Sequence, residues 1–201
     1  MTADPFRGEI RDELRERVEL IKGLGESVYE DLAAIAGSMV DCLRRGGSVF
    51  ACGNGGSATQ AEHFAGELVG RFRMDRGSLP VFCLTDNSAA LTSIANDYEF
   101  AEVFARQIDG MARSGDCLLA LSTSGDSENV TRACRTARGT GLKVFALTGE
   151  NGGPVASESD RAVRIPDSDT ARVQEMHLVL IHLICRMVES AMFSPDGSRT
   201  K

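Results

Sequence analysis

Five short apolar runs, each closed by small polar residues, constrain this chain more than any other feature. They are SVFACG (48–53), PVFCLT (80–85), DCLLALS (116–122), KVFALTG (143–149) and RAVRIP (161–166), and a helical pattern follows each. Runs this continuous in Val, Leu, Phe and Cys suit strands buried on both faces. Strands alternating with helices suit a parallel sheet covered on both sides. The expected fold is therefore α/β: a three-layer sandwich around a five-stranded parallel sheet. Ahead of the first run, Ile10, Leu14, Val18, Ile21 and Leu24, then Val28, Leu32, Ile35, Met39 and Leu43, recur at spacings of three and four. That spacing predicts two amphipathic helices over about 5–45, with a break near GLGES. Such helices need a surface to lie on, either the chain's own sheet or another subunit. A last helix is expected from an Asp169-Thr170 cap to about Met192. The closing SPDGSRTK reads as a disordered tail. With no internal linker or repeat, residues 1–192 are expected to form one domain and 193–201 a tail.

Composition narrows the function classes. A chain of 201 residues is long enough for a substantial core. Its net charge of −7 argues against a general nucleic-acid binder, which needs clustered Lys and Arg, but leaves room for a local anion pocket. No apolar run approaches the ~20 residues of a membrane span. The cysteines Cys42, Cys52, Cys83, Cys117, Cys134 and Cys185 are scattered without a CxxC pair, and no signal peptide opens the sequence. Reduced, buried thiols in a cytoplasmic protein are the expectation.

In open parallel sheets, ligands bind beyond the carboxyl ends of the strands. After the first run comes GNGGS, where glycines admit a ligand to bare backbone and Asn54 and Ser57 offer side-chain hydrogen bonds. It is neither GxGxxG in register nor a Walker loop. A tight strand-to-helix turn accounts for it equally well. After the third run, STSGDSENV sets Ser122, Thr123, Ser124 and Ser127 around Gly125 where a helix should begin. Hydroxyls beside free helix N–H groups make a phosphate cradle, and four in six positions exceed what capping needs. LTGENGG (147–153) reads as a structural turn.

His63 and Glu67 stand at i and i+4 on the helix launched by GNGGS, so they share a face. Gln174 and His182 in the last helix lie eight residues apart, about 80° around the axis and roughly 12 Å along it. A helical pair plus two residues of a distant helix is one way to build a tetrahedral metal site, and a solvated ion-paired face is the other reading. His177 is about 140° from His182 and reads as a packed histidine.

Together, GNGGSATQAEHFAGELVGRF, ANDYEF, STSGDSENV, LTGENGG and DTARVQEMHLVLIHLICRMVE resemble, in collinear order over about residues 48–190, the sedoheptulose-7-phosphate (phosphoheptose) isomerases of the SIS fold. The resemblance implies a homotetramer with active sites between subunits, a seven-carbon ketose phosphate as substrate, and zinc in at least some members. Carried over by motif, His63, Glu67, Gln174 and His182 would hold zinc. Ser122, Thr123, Ser124 and Ser127 would hold the phosphate, and Asn54, Gly55, Gly56, Asn96 and Asp97 the sugar, with Ser57 and Arg71 close by. Glu67 as carbon base and His182 as acid/base partner would carry the enediol chemistry, with Gln174 also near substrate. Two positions depart from the pattern: Gln60 stands where the family usually has Asp, and Asp126 where it usually has Asn. Both bear on which sugar is bound rather than on the reaction. The competing expectations are a non-catalytic adaptor of the replication-initiation type, which needs no metal or base, and an isomerase of the same chemistry for another sugar phosphate.

Overall fold

The computed structural model describes residues 5–200. The apolar runs form β1 (Val49–Gly53), β2 (Val81–Cys83), β3 (Cys117–Ser122), β4 (Lys143–Thr148) and β5 (Arg161–Arg164). Every neighbouring pair is parallel, in the order β2-β1-β3-β4-β5. β1 and β3 are buried at every position, which explains why their runs lack polar alternation. β2 is shorter than its run: it lies at the sheet edge, Pro80 has no N–H to pair, and Phe82 faces outward.

Among the described residues, eight α-helices surround the sheet: α1 (Pro5–Lys22), α2 (Glu26–Arg44), α3 (Gly56–Val69), α4 (Ser88–Asp97), α5 (Ala105–Met111), α6 (Glu128–Thr140), α7 (Gly153–Ser157) and α8 (Thr170–Met192). Strand residues sort by parity into two cores. Val49, Ala51, Leu119, Leu121, Phe145 and Leu147 pack with α2, α3 and α8. Phe50, Cys52, Leu118, Ala120, Val144 and Ala146 pack with α5 and α6 on the other face. The three expected layers are present. All six cysteines are free and buried, and burial pushes the thiols of Cys134 and Cys185 up to about 12. Among the described residues, no helix is long and apolar enough to cross a membrane.

The two N-terminal helices answer differently the question of what they lie on. α2 buries Val28, Leu32, Ile35, Met39 and Leu43 against the chain's own core. α1 does the reverse: Ile10, Leu14, Val18 and Ile21 are 57, 59, 48 and 46% exposed. Its polar side is tied to α8 by Arg17–Glu175 at 2.6 Å and Arg172–Glu16 at 3.0 Å. Ion pairs this open to solvent contribute little, so the chain's own body holds α1 weakly.

Residues 193–200, part of the stretch expected to be a disordered tail, are folded in the structure; Lys201 lies outside the described residues. Phe193 is 3% exposed and bridges Arg199, while the Thr200 N–H donates to the Met192 carbonyl at 2.9 Å. Composition alone missed this because one buried aromatic side chain anchors an otherwise polar turn.

Candidate active site

The strand order reverses direction between β1 and β3, and the loops leaving their carboxyl ends part there to form a crevice, as expected for a doubly wound sheet. A cleft of about 270 Å³ opens at this point, lined by Asn54, Gly55, Gly56, Ser57, Ser122, Thr123, Ser124, Ser127, Thr170 and Gln174 among others. The N-termini of α3, α6 and α8 all border it. Each brings the positive end of a helix dipole, so the cleft is suited to an anion even in an acidic chain.

Local geometry shapes the cleft. Gly125 has φ +76°, and a Cβ there would meet the Gly152 carbonyl oxygen at 2.2 Å, so only glycine fits. The turn after β4 braces this loop: Gly149 N–H donates to the Thr123 carbonyl and Val155 N–H to the Gly125 carbonyl, both at 3.0 Å. Within the loop, the Ser122 and Ser127 hydroxyls are 3.1 Å apart, and neither caps α6 with its side chain. Asp126, which stands where the family usually has Asn, is exposed and does not line the cleft. Its carboxylate lies beside Gly153.

Asn129 was not singled out from sequence, yet it joins the two sides of the crevice. Its amide and that of Asn54 exchange hydrogen bonds of 2.8 and 2.9 Å, and Asn129 is 3% exposed. Only its place inside the STSGDSENV stretch could have pointed to it.

Further along, α3 and α8 run side by side in the same direction. Gln174 packs its amide against Gly56, Gln60 Nε2 donates to the Gln174 carbonyl at 2.5 Å, and His63 meets His182. The two imidazoles approach Nε2 to Nε2 at 2.9 Å, and Glu67 Oε1 lies 3.3 Å from His63 Nε2. Ligand atoms of His63, Glu67 and His182 all fall within 4.8 Å of one another, making a group that could hold a metal ion. Phe72 covers one side of His182, ring centroids 5.7 Å apart. Gln174 lies between the trio and the anion cleft along α8, with its side chain in the cleft wall. Arg71, Asn96 and Asp97 are exposed and do not line this cleft; Asn96 Nδ2 instead donates to Asp97 Oδ1 at 2.8 Å.

His177 faces away from the trio. It is fully buried with no hydrogen-bond partner on either ring nitrogen among the described residues. Burial pushes its pKa down from 6.5 to about 4, against a smaller opposing effect of the Thr148 backbone. A histidine depressed on folding contributes stability above its unfolded pKa, near 6.5, and that contribution is lost as pH falls toward 4. Each tenfold difference in proton affinity is worth about 1.4 kcal/mol, so His177 should cost about 3 kcal/mol of stability between pH 7 and pH 4. The denaturant midpoint of wild type should fall relative to that of His177→Leu as pH drops across that range. A gap that does not vary with pH would exclude this role.

A match to the SIS domain covers residues 14–149. The chain is 42% identical over 190 residues to a phosphoheptose isomerase of Shewanella sediminis, covering 93% of this chain and 96% of that one. It is 49% identical over 168 residues to one of Mycobacterium bovis, covering 84% and 86%. Among solved structures, phosphoheptose isomerase GmhA from Neisseria gonorrhoeae superposes with a TM-score of 0.86 at 37% identity, over 92% of this chain and 99% of that one. With five parallel strands in this order and relatives matched over nearly their whole length, the chain belongs to the phosphoheptose isomerase family of SIS-domain proteins.

Proposed function

We propose that this protein isomerises sedoheptulose 7-phosphate to D-glycero-D-manno-heptose 7-phosphate, an early step toward nucleotide-activated heptose. One observation carries the reading: an anion cleft ringed by three helix N-termini continues along α3 and α8 into a trio of proton-transferring side chains. A sugar phosphate has the same two ends. Ser122, Thr123, Ser124 and Ser127 hold the phosphate, while Asn54, Gly55, Gly56 and Ser57, with Gln174, hold the chain of hydroxyls leading to the reacting carbons.

Isomerisation moves one proton from C1 to C2 and another between the two oxygens, with no net change in composition. Glu67 takes the C1 proton, and the electron pair left behind forms the cis-enediolate. His182 exchanges the proton between O1 and O2, and the carbon proton returns at C2 to give the aldose. Contacts to the remote phosphate fix the reacting end in place and so supply orientation.

The trio also fits a zinc ion. Tetrahedral zinc with bonds of about 2.0–2.1 Å holds its ligand atoms about 3.3 Å apart. The 2.9 and 3.3 Å separations here need only small adjustment. His63, Glu67 and His182 would hold the metal, with Gln174 as the fourth ligand, and the metal would supply polarisation of the carbonyl and hydroxyl oxygens. Metal analysis should find about one zinc per chain, and chelation should remove it together with at least about nine-tenths of the turnover, restored by Zn²⁺. Metal-free protein that turns over at the native rate would sink the zinc assignment.

The active unit is a homotetramer, and the exposed apolar stripe of α1 supports this. Arg71, Asn96 and Asp97, which do not line the cleft of one chain, would act where subunits meet. Free, buried cysteines suit the reducing cytoplasm. The deciding experiment supplies a panel of ketose phosphates and follows aldose formation. Sedoheptulose 7-phosphate should be converted with the highest kcat/KM. Preference for another sugar would move the assignment, and no conversion of any would end it.

A further inference from the structure

Beyond α3 the chain crosses residues 70–79 to reach β2, and a buried ion pair organises that crossing. Glu189 of α8 is 2% exposed, and its carboxylate accepts hydrogen bonds from the N–H groups of Phe72 (3.1 Å), Arg73 (2.9 Å) and Met74 (3.2 Å). Arg76 Nε donates to the same carboxylate at 3.1 Å, and its side chain is 0% exposed. The rest of the guanidinium turns to the end of α3. Nη1 donates to the carbonyls of Leu68 (2.7 Å), Gly70 (3.0 Å) and Gly77 (3.0 Å), and Nη2 donates to the carbonyl of Glu67 at 3.0 Å. The C-terminal turn seals the pair from above: the Arg76 guanidinium lies 5.4 Å from the Phe193 ring centroid, and Arg199 donates to the Ser78 carbonyl at 3.4 Å.

A buried pair of this kind is poor evidence of stability, because desolvating both charges offsets most of their attraction. What it does supply is a fixed arrangement, and its hydrogen bonds end on two parts of the site. One is the backbone of Glu67. The other is the backbone of Phe72, whose ring lies against His182. Glu189 also stands seven residues after His182 on α8, two turns along nearly the same face. The pair therefore links the last turn of α3 to α8 just beyond the place where the two helices present Glu67 and His182.

We propose that Arg76 and Glu189 are positioning residues for proton transfer: together they hold the Glu67 backbone and the Phe72 ring, and through these the relative placement of the Glu67 carboxylate and the His182 imidazole. This inference rests on Glu67 and His182 being the reacting pair. The anion cleft lies at the opposite ends of α3 and α8, so the pair should affect kcat and spare phosphate binding. Misplacing reacting groups by about an ångström can cost on the order of a hundredfold in rate.

The test uses Arg76→Lys and Glu189→Gln, which keep side-chain length but remove the guanidinium fork and one accepting oxygen, alongside Phe72→Leu, which leaves the ion pair intact. Each is measured for folded fraction by circular dichroism, for affinity toward inorganic phosphate, and for kcat and KM on sedoheptulose 7-phosphate. Expected is a fall in kcat per folded enzyme of about tenfold or more in Arg76→Lys and Glu189→Gln, and a smaller fall in Phe72→Leu. KM and phosphate affinity should stay within about threefold. If kcat per folded enzyme is unchanged in these variants, the pair only supports the fold and the proposal is overturned. Should the ion-pair variants not fold, an unchanged kcat in Phe72→Leu overturns it, and a selective loss of kcat there upholds it. Glu67→Gln is run in parallel. An active Glu67→Gln defeats the reading of the site itself, whereas an inactive one beside normal Arg76 and Glu189 variants defeats only the positioning role.

Discussion

Glu67→Gln and His182→Ala are each expected to lower turnover of sedoheptulose 7-phosphate by about a thousandfold, within the range that general acid–base groups contribute. Neither change should unfold the protein. The Glu67 side chain is 24% exposed, and His182 is only partly buried at the helix surface. Both sit outside the set of large side chains that fill the core. Glutamine keeps the size of Glu67 and one carbonyl oxygen, so it can still complete the trio by hydrogen bonding, but it cannot accept a carbon proton. Metal content, measured on the same samples, separates two causes of lost activity. Loss of turnover with metal retained assigns proton transfer to Glu67; loss of both leaves it a ligand alone. Near-native turnover in either variant would remove that residue from the mechanism.

The sheet was legible because burial on both faces leaves a continuous apolar signature, and β1, β3 and β4 begin and end within a residue of their runs. Motif spacing brought forward His63, Glu67 and His182, since an i, i+4 pair must share a helix face whatever the tertiary context. What spacing could not give was the pairing of α3 with α8. That pairing depends on both helices crossing the same face of the sheet, and it turns an awkward eight-residue interval between Gln174 and His182 into two successive contacts along one groove. Asn129, Arg76 and Glu189 were illegible for a related reason. Each is a polar residue whose partners lie far away in sequence: 75 residues separate Asn129 from Asn54, and 113 separate Arg76 from Glu189. Charged residues in a stretch such as GRFRMDRG look solvated until the fold buries one of them.

Leu14→Glu combined with Val18→Glu is expected to dissociate the proposed homotetramer and, with it, to lower activity by about a hundredfold or more. The two side chains are 59 and 48% exposed in the single chain, so removing them takes nothing from its core and the subunit should keep its fold. In an assembly whose α1 helices bury this stripe, each loses about 1.5–3 kcal/mol of apolar burial, and a buried carboxylate adds a further penalty. A two-fold symmetric contact carries the substitution on both sides, so each loss counts twice. The sum is several kcal/mol, and every 1.4 kcal/mol is tenfold in the dissociation constant. Activity should follow because Arg71, Asn96 and Asp97 lie outside the cleft formed by one chain and are proposed to act where subunits meet. Sedimentation and turnover measured on the same samples test both steps. A wild-type protein that sediments as a monomer would refute the proposed homotetramer. A dissociated variant with native turnover would show that one chain suffices, and Arg71, Asn96 and Asp97 would then lose their proposed place in the site.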